Sequence, residues 1–158
     1  MKVTIRAYEA RDAPGVADVF YRSVREVAIS DYTPDQVRAW VPERLDVERS
    51  HLRSTDGRLT LVAADEQDQV VAFIDLEPDG HIDRLFCAPE AVGQHIASRL
   101  YAELEAAARA QGIGRLYTEA SELARRFFER KDFIVLERQE KPVRGVPIHN
   151  YRMAKTLS

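Results

Sequence analysis

CAPEAVGQHIASRLY, residues 87–101, carries the chain from the end of an apolar strand, through a Pro-Glu turn and one glycine, into a helix. Such a helix start is a ready anion site, because its first amides have no acceptors inside the helix. The apolar residues Ile96, Ala97, Leu100, Tyr101, Leu104, Ala107 and Ala108 recur at helical spacing. They predict a long amphipathic helix from Gly93 to Gln111, ended by the glycine of AQGIG. Upstream, residues 59–89 read LTLVAADEQDQVVAFIDLEPDGHIDRLFCAP, three strand-like runs separated by the polar, turn-forming EQDQ and PDG. That pattern predicts an antiparallel meander.

Working outward, KVTIRAY (2–8) alternates as a first strand, and Asp12 is placed to cap a helix whose buried face is Val16, Val19, Phe20, Val24 and Val27. In DYTPDQVRAW (31–40), Thr33 is the expected N-cap, Pro34 the first helical residue, and Gln36 the partner that completes a capping box. Residues 42–57 are polar and weakly patterned, with Leu45, Val47 and Leu52 suggesting one short helical turn. After the long helix come the strand RLYTEA (115–120), a helix over 121–131 containing Phe127 and Phe128, and two strands, FIVLERQE and IHNYRMAKTL, around the turn KPVRGVP. The order is one strand, two helices, three strands, helix, strand, helix, two strands. It predicts an α/β fold: a mixed, mostly antiparallel central sheet of about seven strands with helices on both faces, forming a single domain over 1–158.

Composition narrows the function. The chain is 45% hydrophobic and 31% charged with a net charge of -3, which gives no whole-chain reason to bind nucleic acid or an acidic membrane. No apolar run approaches the roughly 20 residues that span a bilayer, and MKVTIRAYEARD lacks the apolar stretch of a secretory signal. A cytoplasmic protein is expected. The single cysteine, Cys87, cannot form an internal disulfide, and the scattered His51, His81, His95 and His149 show no metal-ligand spacing, so no metal is expected.

The stretch LFCAPEAVGQHIASRLYAELEAAARAQGIGRLYTEASELARRFFERKDF (85–133) resembles the core of the GNAT superfamily of acetyl-CoA-dependent N-acetyltransferases, and the whole chain fits the same pattern. The resemblance implies that acetyl-CoA is the co-substrate. Its diphosphate would rest on the loop amides, and its pantetheine arm would pass between two strands that splay apart. The implied strand contacts are Leu85, Phe86 and Cys87; the implied loop contacts are Gly93, Gln94, His95, Ile96, Ala97 and Ser98. Several positions depart from the family pattern. Val92 stands where Gln or Arg is usual, His95 where glycine is usual, Leu123 at or near an asparagine position, Phe128 at the tyrosine that protonates the departing thiolate, and Asp132 at a glycine. A histidine at position 95 either obstructs phosphate or donates a hydrogen bond to it.

Transfer to an amine needs a base and a polarised thioester carbonyl. The Cys87 amide is the candidate for polarisation, while its thiol reads as a small buried apolar group. Asp83 is the candidate catalytic base. Strand alternation would set it on one face with Leu85 and Cys87, in apolar surroundings that raise proton affinity. The alternative is a salt bridge to Arg84, Arg115 or another cation, and Glu77 and Glu119 are reserve bases. Tyr32 and Trp40 are the candidate acceptor contacts, with Arg144 and His149 nearby; for Trp40 the competing role is helix packing. Two functions stay open. One is acetylation of a primary amine on a small molecule or peptide in a ternary complex. The other is an impaired GNAT-fold protein serving as an acyl-CoA-binding or protein-interaction module. A homodimer paired through the final strands is compatible with either.

Overall fold

The computed structural model describes residues 1–158. Two four-stranded sheets make its framework. The first holds β1 (Thr4–Ala7), β2 (Leu59–Ala64), β3 (Val70–Leu76) and β5 (Leu85–Cys87), in that order and antiparallel throughout. The second runs β4 (His81–Ile82), β6 (Arg115–Ala120), β8 (Val146–Thr156), β7 (Ile134–Val143), and its β4–β6 pair is parallel. The helices are α1 (Ala13–Arg22), α2 (Pro34–Trp40), α3 (Val47–Ser54), α4 (Ile96–Ala110) and α5 (Glu122–Glu129).

The central strands sort their residues by the two-residue period of the pleat. From β2 and β3, Leu61, Ala63, Ala72, Ile74 and Leu76 face α4, where Ile96, Leu100, Tyr101, Leu104 and Ala108 meet them in the main core. The intervening Val62 and Phe73 face α1 and pack on Val16 and Val19. Helices therefore cover both faces, as predicted.

Eight strands replace the expected seven because GHIDRLFC, one strand in the sequence, is two. Ile82 pairs with Thr118 in β6, whereas Leu85 pairs with Ile74 in β3, so the chain changes sheets at Asp83–Arg84. A buried carboxylate makes the change. Asp75 Oδ1 accepts from the amides of Asp83 (3.1 Å) and Arg84 (2.8 Å), and Oδ2 from Arg84 Nε (2.5 Å) and Arg58 Nη1 (2.8 Å). A side chain thus takes the place of a neighbouring strand, and beyond Ile82 and Thr118 the two sheets part.

Smaller expectations also resolve. The capping box at α2 is present, with Gln36 N donating to Thr33 Oγ1 (3.1 Å) and Thr33 N to Gln36 Oε1 (2.9 Å). Asp12 does not cap α1 with its side chain; it is held by Arg6 at 2.7 and 2.8 Å. The helical face expected to run on through Val27 widens at Ser23–Val27 into a π turn. The turn KPVRGVP is tighter than expected, because Arg144 and Gly145 both take positive φ (47° and 79°) and a two-residue hairpin loop suffices. β7 is the open edge of its sheet, with Ile134, Val135 and Leu136 exposed. No helix is long and apolar enough to cross a membrane.

Candidate active site

A cleft of about 370 Å³ opens where the sheets part, bordered by β5, the loop before α4, the π turn and the start of α5. Its distinguishing feature is backbone. Every amide from Gly93 to Ser98 lacks an acceptor within the chain, since the first helical bond is Arg99 N to His95 O and no side chain caps α4. Such a row, at the positive end of a fifteen-residue helix, suits a polyanion. The second feature is the edge of β5. Ala88 N donates to Val71 O and Asp75 N to Arg84 O, so even-numbered residues spend their polar groups on β3. By the alternation of an antiparallel ladder, Leu85 and Cys87 turn theirs into the opening.

A second, larger cavity of about 910 Å³ adjoins the first, and the two share Tyr32, Trp40, Leu85, Phe86, Ser121 and Ala124. Tyr32 is the strut at this junction. Its hydroxyl donates to His149 O (3.0 Å) and accepts from Glu122 N (3.2 Å), tying the α2 region to β8 and α5. Burial pushes its phenol up to about 12. Its ring stacks on His149 at 5.0 Å and meets Trp40 edge-on at 5.7 Å. Behind it Glu122 Oε1 accepts from Tyr151 (2.7 Å) and bonds His149 Nε2 (2.6 Å). Although burial opposes ionisation there, bonds from Tyr151, His149 and Arg125 bring its carboxyl down to about 2. Tyr32, Trp40, Arg144 and His149, far apart in sequence, all line this larger cavity.

The family profile described as an acetyltransferase (GNAT) domain matches residues 28–155. The chain belongs to the GNAT acetyltransferase family. It is 28% identical over 151 residues to the uncharacterized N-acetyltransferase YafP of Escherichia coli (strain K12), covering 96% of this chain and 94% of that one. The crystal structure of a GCN5-related N-acetyltransferase from Rhodopseudomonas palustris superposes with a TM-score of 0.88 at 32% identity, over 99% of this chain and 97% of that one. YncA of Salmonella typhimurium, a putative acetyltransferase solved with its cofactor acetyl-CoA, has a TM-score of 0.78 at 15% identity, over 100% and 95% of the two chains, a likeness of fold.

Against the GNAT pattern, the departures read from the sequence lie in side chains more than in backbone. His95 sits at φ 61° and Asp132 at φ 70°, the left-handed conformation that explains why glycine is usual at both sites. Histidine and aspartate are among the residues that tolerate it best. The His95 side chain is exposed at the rim of the cleft, which stays open. Leu85, Phe86, Cys87, Gly93, His95, Ile96, Ala97 and Ser98 all border that cleft. Gln94 does not: its side chain folds back to donate to Glu90 O at 2.6 Å, leaving only its amide available. Phe128 is a core aromatic, 1% exposed and 4.8 Å from Phe133, with no proton to give. Burial alone raises the Cys87 thiol to about 11, fitting an inert residue and not a nucleophile.

Asp83 requires correction. It is not in a strand, so the expected alternation with Leu85 and Cys87 does not apply. Burial does favour its protonated form, but Arg53 Nη2 (2.6 Å) and Arg58 Nη1 (2.7 Å) outweigh it and lower its proton affinity, the reverse of what a base requires. The salt-bridge alternative describes it, with cations other than Arg84 and Arg115. Glu77 and Glu119 grip His81 from both sides, at 2.7 and 2.8 Å. The bond to Glu119 foremost, opposed by burial and aided by Glu77, raises His81 to about 9. Sequence reading missed Asp75, whose signal was a lone acid inside the apolar run VVAFIDL, and Arg130, which borders the smaller cleft from the end of α5.

Proposed function

We propose that the protein transfers an acetyl group from acetyl-CoA to the primary amine of a small molecule or peptide, by direct attack in a ternary complex. The observation that carries this reading is the row of unpartnered amides from Gly93 to Ser98, opening onto an apolar cleft whose side is the free edge of β5. These amides take the diphosphate. The pantetheine amides extend the sheet by bonding the β5 edge at Leu85 and Cys87, and the Cys87 amide polarises the thioester carbonyl. The acetyl-CoA held by YncA on the same fold supports this use of the cleft.

The amine arrives through the larger cavity and meets the thioester at the junction beside Tyr32 and Trp40. Glu119 lines that cavity with Oε1 bonded to His81 and Oε2 free of any side chain, and Oε2 receives the ammonium proton through water. Attack forms the tetrahedral adduct, whose collapse makes the amide bond and expels the CoA thiolate. With Phe128 unable to serve, water carries the second proton of the attacking nitrogen to the departing sulfur. The non-catalytic reading rested on the altered residues of the loop and α5. The exposed His95 and the open cleft favour turnover instead.

Calorimetric titration with acetyl-CoA and desulfo-CoA tests the reading, with dissociation constants in the micromolar range expected. Thiol release with an amine panel follows. Glu119→Gln is expected to lower kcat about 100-fold while leaving acetyl-CoA affinity unchanged. Absence of heat at millimolar ligand would reject the transferase in favour of a protein-interaction module.

A further inference from the structure

The chain is acidic overall, with a net charge of -3, yet the acceptor cavity is locally cationic once its ion pairs are resolved. Three of its lining arginines are spoken for: Arg44 by Asp18, Arg53 by Asp83 and Arg84 by Asp75. Of its four carboxylates, Asp83 and Glu119 have cationic or imidazole partners, Asp46 meets only backbone amides and Glu43 is unpaired, which leaves two anions without a cation. Asp83 is held by Arg53 and Arg58, Asp46 accepts from the amides of Glu48 and Arg49, and Glu119 faces His81. Arg49, Lys141 and Arg144 line the same cavity, and none takes part in an ion pair. None of the three borders the cofactor cleft, so their charge is not directed at coenzyme A.

Arg144 is the most constrained of them. It is the first residue of the two-residue β7–β8 turn, at φ 47°, a position where asparagine or glycine is the easier choice. Its Nη1 donates to Ala39 O at 2.7 Å, near the end of α2. That bond fixes the guanidinium against a neutral carbonyl and leaves its other donors without an acceptor in the chain. A guanidinium held in this way presents a planar fork matched to carboxylate or phosphoryl oxygens. In a concave site its field is focused where a ligand's charge would sit.

We propose that the acceptor is an amine whose far end carries an oxyanion, a carboxylate or a phosphoryl group, bound by Arg144 with Arg49 and Lys141 while the amine points to the Tyr32–Trp40 junction. This assignment rests on the transferase reading for its chemistry. As a binding claim it is tested separately.

The test uses matched pairs that differ in the oxyanion: γ-aminobutyrate against propylamine for the carboxylate, O-phosphoethanolamine against ethanolamine for the phosphoryl group. Each is titrated calorimetrically into the protein saturated with desulfo-CoA, and each is assayed for thiol release with acetyl-CoA. In at least one pair, the oxyanion member is expected to bind about tenfold more tightly or better, the worth of one charged hydrogen bond. The favoured pair identifies the oxyanion. Arg144→Asn removes the guanidinium while suiting the positive φ of the turn, so the hairpin is preserved. In that variant the ratio within the favoured pair should fall to about threefold or less, read as KM rather than kcat in turnover. Equal affinities, a preference for the plain amines, no binding by either member, or a ratio untouched by Arg144→Asn would each overturn the proposal. Selective binding without thiol release would leave the pocket assignment standing and sink the transferase reading instead.

Discussion

The cleft proposed for the cofactor and the cavity proposed for the acceptor share a wall at Tyr32, Trp40, Leu85 and Phe86, yet they are made of different material. The cleft is a backbone device: the free amides from Gly93 to Ser98 and the unpaired edge of β5. The cavity is a side-chain device, assembled from α2, α3, β6, β8 and the β7–β8 turn. Backbone groups survive substitution, so a loop can trade glycine for histidine and keep its chemistry. Side-chain groups do not, so single substitutions lining the larger cavity change what it can hold.

Both halves depend on the parting of the sheets, and the largest expected effect comes from removing what parts them. Asp75 has no exposed surface and accepts from two buried or nearly buried guanidinium groups and two amides. Asp75→Ala strands those cations, which is expected to cost about 3–5 kcal/mol in urea unfolding and to weaken both sites together. Asp75→Asn keeps an oxygen for the two amides while removing the charge, and should fall between the variant and the parent. A loss below about 1 kcal/mol for the alanine variant would mean that the carboxylate is not what holds the split.

The same contrast explains what the sequence disclosed. Element order, the α4 face from Ile96 to Ala108 and the α2 capping box follow from spacing alone, so they were legible. So was the loop, because a strand, a turn and a helix start suffice to leave amides free. The split at Asp83–Arg84 was not legible, since GHIDRLFC alternates well enough for one strand and its interruption is decided by Asp75, eight residues upstream of Asp83 and on another strand. The error over Asp83 followed from that. The acceptor wall was only partly legible: Tyr32 and Trp40 stood out as aromatics, whereas the free charge of Arg144 depends on a turn and on the absence of partners, which only three dimensions supply.

A middle-sized effect probes the backbone side. If His95 matters for its left-handed conformation and not for its imidazole, His95→Gly should leave acetyl-CoA affinity within about threefold of the parent and the fold slightly more stable. His95→Val, β-branched at positive φ, should cost about 1–2 kcal/mol and weaken the cofactor with it. A loss of affinity in the glycine variant as large as that in the valine variant would assign phosphate binding to the ring and blur the distinction between the two regions.

The smallest effect concerns pH, which should touch the side-chain half alone. His81 is raised from 6.5 to about 9, first through Glu119, against burial, and then through Glu77. A group whose proton is held more tightly in the folded state stabilises that state fully below its unfolded value and loses the contribution as pH climbs through the folded one. The window is therefore about pH 6.5 to 9. Glu77 and Glu119 are 34% and 40% exposed, so screening keeps the contribution under about 1 kcal/mol. Thermal midpoints should decline across that window in the parent and run flatter in His81→Gln. Amides do not titrate there, so acetyl-CoA affinity should stay level from about pH 7.5 to 9. A melting profile indifferent to His81→Gln would remove the histidine from the ledger of the acceptor side. An affinity that fell in step with the melting profile would show that the cleft is not a backbone device after all.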